Sequence, residues 1–381
     1  MIVRAVGDIA INRDEPERAF ERCEGILAEC DLSIGQLESV FTVAPFAEGR
    51  ADAPLRSAPR NAVALHRLGI RALSLCGNHV MSCGPAGLGE TAATLAALGI
   101  ETFGAGDSLA AARQPLSVAA AGQRLSVVAA NCILPPGCAA TAGTAGCRPL
   151  RIATRYEMIE PNQPGTPARI ITQADSRDLA DLAEQVTGLR LRGDRVIVWL
   201  HWGLHLQPET IADYQVDVAH GLIDAGAELI VGTHPHLLKG VEIYRGRTIL
   251  HSIGNFVFDL DVDALPARRA YHLKLVDLYP GNPVDPPADN RLYPFAEESR
   301  MTVMVEAAFH AGKAPLIGLH PAYIGSNGQP RLLAAGEPQF DAVASYLKRV
   351  SGRFGTTWHV EGNRLIAEAP SQDEADDRIR A

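Results

Sequence analysis

Short apolar runs rich in β-branched residues alternate along this chain with segments of helical spacing. That rhythm calls for stacked layers of helix and sheet, an α/β architecture. The runs also stop in a consistent way. Residues 2–7 (IVRAVG) read as a central strand ending at Gly7-Asp8, 31–40 as a second that reaches Glu38, and 72–76 as a third that runs into Gly77-Asn78-His79. Residues 195–201 carry VIVWL up to His201, and 228–231 lead into His234 and His236. In α/β sheets, groups at strand carboxyl ends converge on one edge, where ligands bind.

The spacing predicts helices over 16–30, where Ala19, Cys23, Ile26 and Leu27 share a face, and over 59–69, 88–98, 175–192, 209–225 and 338–353. Residues 242–244 and 248–251 read as a hairpin across Arg245-Gly246-Arg247. Residues 135–167 are rich in Pro, Gly, Ala and Thr and suggest an irregular excursion. The expected organisation is a core over 1–261, an excursion or insertion near the site over 262–300, and strands and a helix over 301–381 that complete the same domain.

Composition narrows the partners. Lys and Arg number 35 against 44 Asp and Glu, a formal charge of −9, so nothing draws the whole chain to nucleic acid or anionic lipid. No run approaches the ~20 apolar residues of a bilayer helix, and no export signal is visible, so a cytoplasmic protein without a membrane partner is expected. The seven cysteines include no CxxC pair and read as reduced, mostly buried thiols.

Asp8, Glu38, Asn78, His79, His201, His234 and His236 supply oxygen and imidazole donors at strand ends. Such a set suits a borderline or hard divalent ion, with Mn, Zn, Fe or Ni before Ca. The spacing His234-x-His236 on an extended segment would point both rings the same way.

The order GD…E…GNH…H…GxHxH resembles the metallophosphoesterase, calcineurin-like superfamily. More closely, the blocks VGDIA, IGQLES, LSLCGNHVMSCG, ETFGAG, VIVWLHWGLH, LIDAGAELIVGTHPHLLKGVEIYRG and ILHSIGNFVFD resemble the CapA family of poly-γ-glutamate capsule biosynthesis proteins. The resemblance covers about residues 1–335 and implies a four-layer α/β/β/α sandwich holding one or two divalent ions. It implies that Asp8 and His236 bind a first ion and Asn78, His201 and His234 a second, with Glu38 bridging. His79 would be unligated and near the substrate, as a general acid or an electrostatic stabiliser.

Departures from the family pattern are informative. Asp8 is followed by Ile9 and Ala10 rather than by a second-next histidine, and Asn12 is a candidate replacement. Ser82 and His205 stand where the family carries pocket carboxylates. Preserved ligands in an altered pocket imply retained metal chemistry on a changed substrate.

Arg56, in PLRSAP, either clamps a carboxylate or phosphate or is a solvated loop residue, and His205 is either a substrate-pocket group or structural. Ser252 and Asn255 are candidates to orient His234 or His236, and Trp202 is expected in the core or the site wall. Gly104-Ala105-Gly106 lacks the Lys-Ser/Thr of a phosphate loop. The expected function is a metal-dependent hydrolase that turns a metal-activated water on a small acidic substrate, a phosphoester or an amide-type bond. The alternatives are a non-catalytic CapA-like accessory of poly-γ-glutamate synthesis and a metal-dependent binding protein. Oligomeric state is not legible.

Overall fold

The computed structural model describes residues 1–48, 55–263, 266–278, 281–285 and 291–369. The chain is mixed α/β, built on one ten-stranded and one six-stranded sheet with three smaller two-stranded ribbons.

The strand Ile2–Ala10 lies inside the ten-stranded sheet. It runs parallel to Leu32–Leu37 on one side. On its other side the first half pairs antiparallel with Met301–Ala308, and the second half pairs parallel with Asn255–Phe258. The register shifts at Asp8 against both parallel neighbours. Such an irregularity re-aims a side chain at a sheet's end. It depends on Gly7, because a Cβ there would sit 1.8 Å from the carbonyl oxygen of Gly254. The late strands Met301–Ala308, Leu316–Ile324, Arg364–Glu368 and Thr357–Glu361 extend the same sheet.

In the six-stranded sheet, Gln123–Asn131, Arg195–His201, Leu229–Thr233 and Arg247–Leu250 are parallel neighbours. Their register sets Asn131, His201 and Thr233 level at one carboxyl edge. Alternation divides Arg195–His201 between two cores. Ile197 and Trp199 join an apolar cluster that also holds Val3, Ala5, Ile34 and Leu73 of the larger sheet. Val196, Val198 and Leu200 face the helices Ser176–Leu191 and Asp213–Asp224 through Leu182, Val186, Val218 and Leu222. A strand buried on both faces reads as an unbroken apolar run, as VIVWL does. Between the sheets, the Trp199 indole N–H donates to Gln36 Oε1 at 3.0 Å, and Gln36 Nε2 donates to the carbonyl of Leu37 at 3.0 Å.

Two expectations are revised. Residues 16–30 form a 3₁₀ turn, Pro16–Phe20, followed by irregular turns rather than a helix. Gly25 at φ 70° breaks the helical path, although Ala19, Cys23 and Leu27 are buried as the pattern required. Part of 135–167 is regular: Ile152–Met158 pairs antiparallel with Ala168–Ala174 in a largely exposed ribbon. The excursion beginning at 262 contains the helix Pro266–Leu278. No helix among the described residues is long and apolar enough to cross a membrane.

Gly7→Ala is expected to lower stability by at least ~2 kcal/mol, since a backbone carbonyl blocks the new methyl. Gly188→Ala, where a Cβ meets open space inside a helix, is expected to be neutral or stabilising. Denaturant midpoints of the two variants check the contrast.

Candidate metal centre

The carboxyl ends of the two sheets face one another, and the polar strand-end residues meet there. Asp8 is fully buried. Its Oδ2 accepts the backbone N–H of His234 at 3.1 Å and lies 3.4 Å from His236 Nδ1, while Oδ1 has no partner. Glu38 follows Leu32–Leu37, and its own N–H donates to the Ile9 carbonyl at 2.9 Å. Its carboxylate is buried, and neither oxygen has a hydrogen-bond partner.

His201 closes Arg195–His201, with Nδ1 3.0 Å from the Thr233 hydroxyl. With the proton on Nδ1, Nε2 turns its lone pair to the space between Asn78 Oδ1, at 2.8 Å, and Glu38 Oε2, at 3.6 Å. The turn bearing Asn78 comes close because residue 77 is glycine: a Cβ would stand 2.9 Å from Gln36 Nε2 and 3.3 Å from Glu38 Oε2.

His234 and His236 do not lie on an extended segment. Both hold positive φ, 96° and 57°, a conformation that costs a non-glycine residue about 1–3 kcal/mol. The strained backbone sends the rings apart, 6.0 Å between centroids. His234 joins Glu38 and His201, and one ligand atom of each lies within 4.8 Å of the others. His236 turns to Asp8, and its Nδ1 meets Asn255 Oδ1 at 2.8 Å. Asn255 therefore orients a site imidazole, and Tyr293 in turn donates towards neither histidine but to the Ser299 carbonyl. Ser252 instead accepts the Gly254 N–H in the adjoining turn.

His205 stacks on His234 at 4.1 Å, and its buried Nε2 has no partner. His79 Nε2 stands 4.0 Å from Glu38 Oε1, and its Nδ1 is 3.4 Å from the Ser82 hydroxyl. Two residues stand away from the cluster. Arg56 donates to the Ala44 carbonyl at 3.0 Å and lies over the Phe46 ring. The Asn12 N–H donates to Asp259. Trp202 is core: fully buried, it donates to the His251 carbonyl at 2.9 Å and stacks on that ring.

Burial, then the negative charge of Asp8, pushes the Glu38 carboxyl well above the usual carboxylate range. Burial pushes His201, His205 and His234 well below the usual imidazole range, and neighbouring imidazoles add to the effect. Unpartnered carboxylate oxygens facing neutral imidazole lone pairs are the donor set of a borderline divalent cation. The residues present fit such an ion.

Two features around the cluster carried no readable signal. Behind the Gly77-Asn78 turn, Cys138 Sγ lies 3.5 Å from the Gly77 carbonyl and 3.6 Å from Cys147 Sγ, and Asn131 Nδ2 lies 3.4 Å from Cys147. Cys138 and Cys147 stand nine residues apart without motif spacing, so only the fold reveals the cluster. In front, a cavity of about 300 Å³ is bordered by Asn78, His79, His205 and His236 and by residues of the 262–300 excursion, among them Arg268 and Phe295. The loop bearing His205 is pinned by Lys239, whose buried ammonium donates to the carbonyls of Gln207 and Thr210.

The family model for the bacterial capsule synthesis protein PGA_cap matches residues 1–260. The chain belongs to this family. Among relatives of this PGA_cap chain, a probable polyglutamine synthesis accessory protein of Mycobacterium tuberculosis is 33% identical over 232 residues, 61% of this chain and 56% of that protein. The PGA biosynthesis protein CapA of Bacillus subtilis is 26% identical over 280 residues, 71% of this chain and 67% of its own. The match thus spans little more than half the length of the mycobacterial relative. Among solved structures, GAP50, described as the anchor in the inner membrane complex of Plasmodium, aligns over 92% of this chain and 95% of its own. At 9% identity and a TM-score of 0.32, that likeness carries no argument.

His201→Ala and His234→Ala are each expected to lose bound divalent metal, because water fills an opened ligand position poorly; elemental analysis of the folded variants checks this. Burial lowers the Lys239 pKa to about 7. Between pH 7 and ~10.4 the unfolded chain then binds one more proton than the folded chain, so stability rises with pH across that window. The wild-type-minus-Lys239→Met difference in denaturant midpoint should show that slope, and a flat difference would remove the assignment.

Proposed function

We propose that this PGA_cap chain is a metal-dependent hydrolase acting on a small acidic substrate, a phosphoester or an amide-type bond, on a four-layer α/β/β/α frame. The observation that carries the reading is the convergence of Glu38, His201 and His234, with both Glu38 oxygens unpartnered, beside a cavity. Asp8, His236 and Glu38 would hold one ion, and Glu38, Asn78, His201 and His234 a second. A bound divalent ion supplies Lewis-acid polarisation of a substrate oxygen and a lowered pKa for water.

The protein groups have separable tasks. Thr233 and Asn255 fix the rings of His201 and His236 through Nδ1, so each turns Nε2 elsewhere. Buried apolar strands keep bulk water from the carboxylates, which raises the value of every charge interaction there. His79 borders the cavity without joining the Glu38–His201–His234 group, and it stands where a proton could pass to a leaving group.

The names of the relatives favour a second reading, an accessory of poly-γ-glutamate synthesis. Metal analysis with a turnover screen on phosphomonoesters, phosphodiesters and γ-glutamyl amides separates the two. Metal binding without turnover on any of these classes would leave the accessory reading.

His79→Asn is expected to retain fold and metal but to lose at least ~10²-fold in turnover. Near-normal kcat with intact metal content would make His79 scaffolding.

A further inference from the structure

The cavity in front of the candidate metal centre is unlike a site for a chain of carboxylates. Its inner end is polar, with Asn78, His79, His205 and His236. Its outer walls are largely apolar, through Leu55, Leu206, Phe258, Leu260, Leu275 and Phe295, with Tyr271 and His272 among them. Leu55, Phe258 and Phe295 belong to one packed cluster, with Leu206 and Leu260 against it, so this wall is built into the fold. Leu275 comes from the helix Pro266–Leu278, which closes the other side.

One cation lies in that apolar surround. Arg268 borders the cavity and is only 8% exposed, with Nη1 3.4 Å from the Asp261 carbonyl. Of the charges felt by Arg268, that of Asp261 is the larger and favours the guanidinium, and that of Arg56 opposes it. A largely buried guanidinium on the cavity border is a charged donor that an anionic group could meet between the apolar wall and the metal-binding end. At about 300 Å³ the cavity lies at the small end of ligand pockets.

We infer that this cavity takes a small amphipathic anion: a phosphoryl or carboxyl head near Arg268 and the metal-binding end, carrying a compact aryl or short alkyl body against Phe258, Leu275 and Phe295. The inference rests on the hydrolase reading of the same site and gives its substrate class. An extended poly-γ-glutamate chain, with a charged carboxylate on every residue, would have to desolvate those charges against leucine and phenylalanine.

The test is calorimetric titration of the metal-loaded protein with methyl-, propyl- and hexylphosphonate, phenylphosphonate and tri-γ-glutamate, none of which needs to be cleaved. Affinity is expected to rise roughly fourfold per buried methylene from methyl to propyl, and phenylphosphonate to bind at least ~tenfold more tightly than methylphosphonate. Leu275 is half-buried, so Leu275→Asp should fold; it should erase the chain-length gain and spare methylphosphonate. Arg268→Gln should weaken all the phosphonates together. Affinity flat with chain length, or tri-γ-glutamate binding most tightly and indifferent to Leu275→Asp, overturns the inference; the wild-type series decides alone if a variant does not fold. Turnover of the matching phosphate esters is scored separately. Binding that follows the series without turnover keeps the pocket assignment and removes the hydrolase reading. Turnover indifferent to chain length removes the pocket assignment.

Discussion

Two carboxylates, Asp8 and Glu38, end neighbouring parallel strands in a dry interior, and much of the surrounding structure answers that placement. Burying an ionised carboxylate costs several kcal/mol unless a countercharge or hydrogen bonds compensate. No arginine or lysine is paired with either one among the described residues. Their ion-pair partners there are histidines, and the buried His201 is pushed towards neutrality. A divalent cation held by this donor set would supply that countercharge. Gly7 and Gly77 serve the same end: one lets the strand irregularity at Asp8 form, and the other lets the Asn78 turn reach Glu38.

The parts of this design visible in the sequence are those written locally. An apolar run buried on both faces must be a strand of limited length, and the first polar residue after it must lie at the sheet edge. That logic places Asp8, Glu38, Asn78, His79, His201, His234 and His236 at strand ends, and the fold brings them together. It fails where one backbone angle decides. Gly25 breaks an apolar pattern that otherwise reads as helix, and positive φ at His234 and His236 separates two rings that alternation would align. It fails again where packing is remote in sequence. Arg268, Leu275 and Phe295 lie in the 262–300 excursion expected near the site, and nothing local says which of its residues border a cavity with His79 and His236.

Arg56 shows the same limit from the other side. A loop arginine just before a turn of helix is a reasonable anion clamp, yet its guanidinium is engaged by the Ala44 carbonyl and the Phe46 ring. The cation that borders the cavity is Arg268, more than two hundred residues later.

The two positions where family carboxylates are replaced acquire a physical meaning in this geometry. Ser82 puts a hydroxyl 3.4 Å from His79 Nδ1, so the ring gains an orienting contact without an added negative charge. His205 lays an imidazole flat on His234 and borders the cavity. A carboxylate at either place would repel an anion approaching the inner end of the cavity. On the proposed reading, an imidazole at 205 keeps negative charge off the cavity wall while Asp8 and Glu38 remain buried behind it. The strand-end donors are readable from sequence motifs because each directly follows an apolar run, and the cavity border is not, because its residues come together only in the fold.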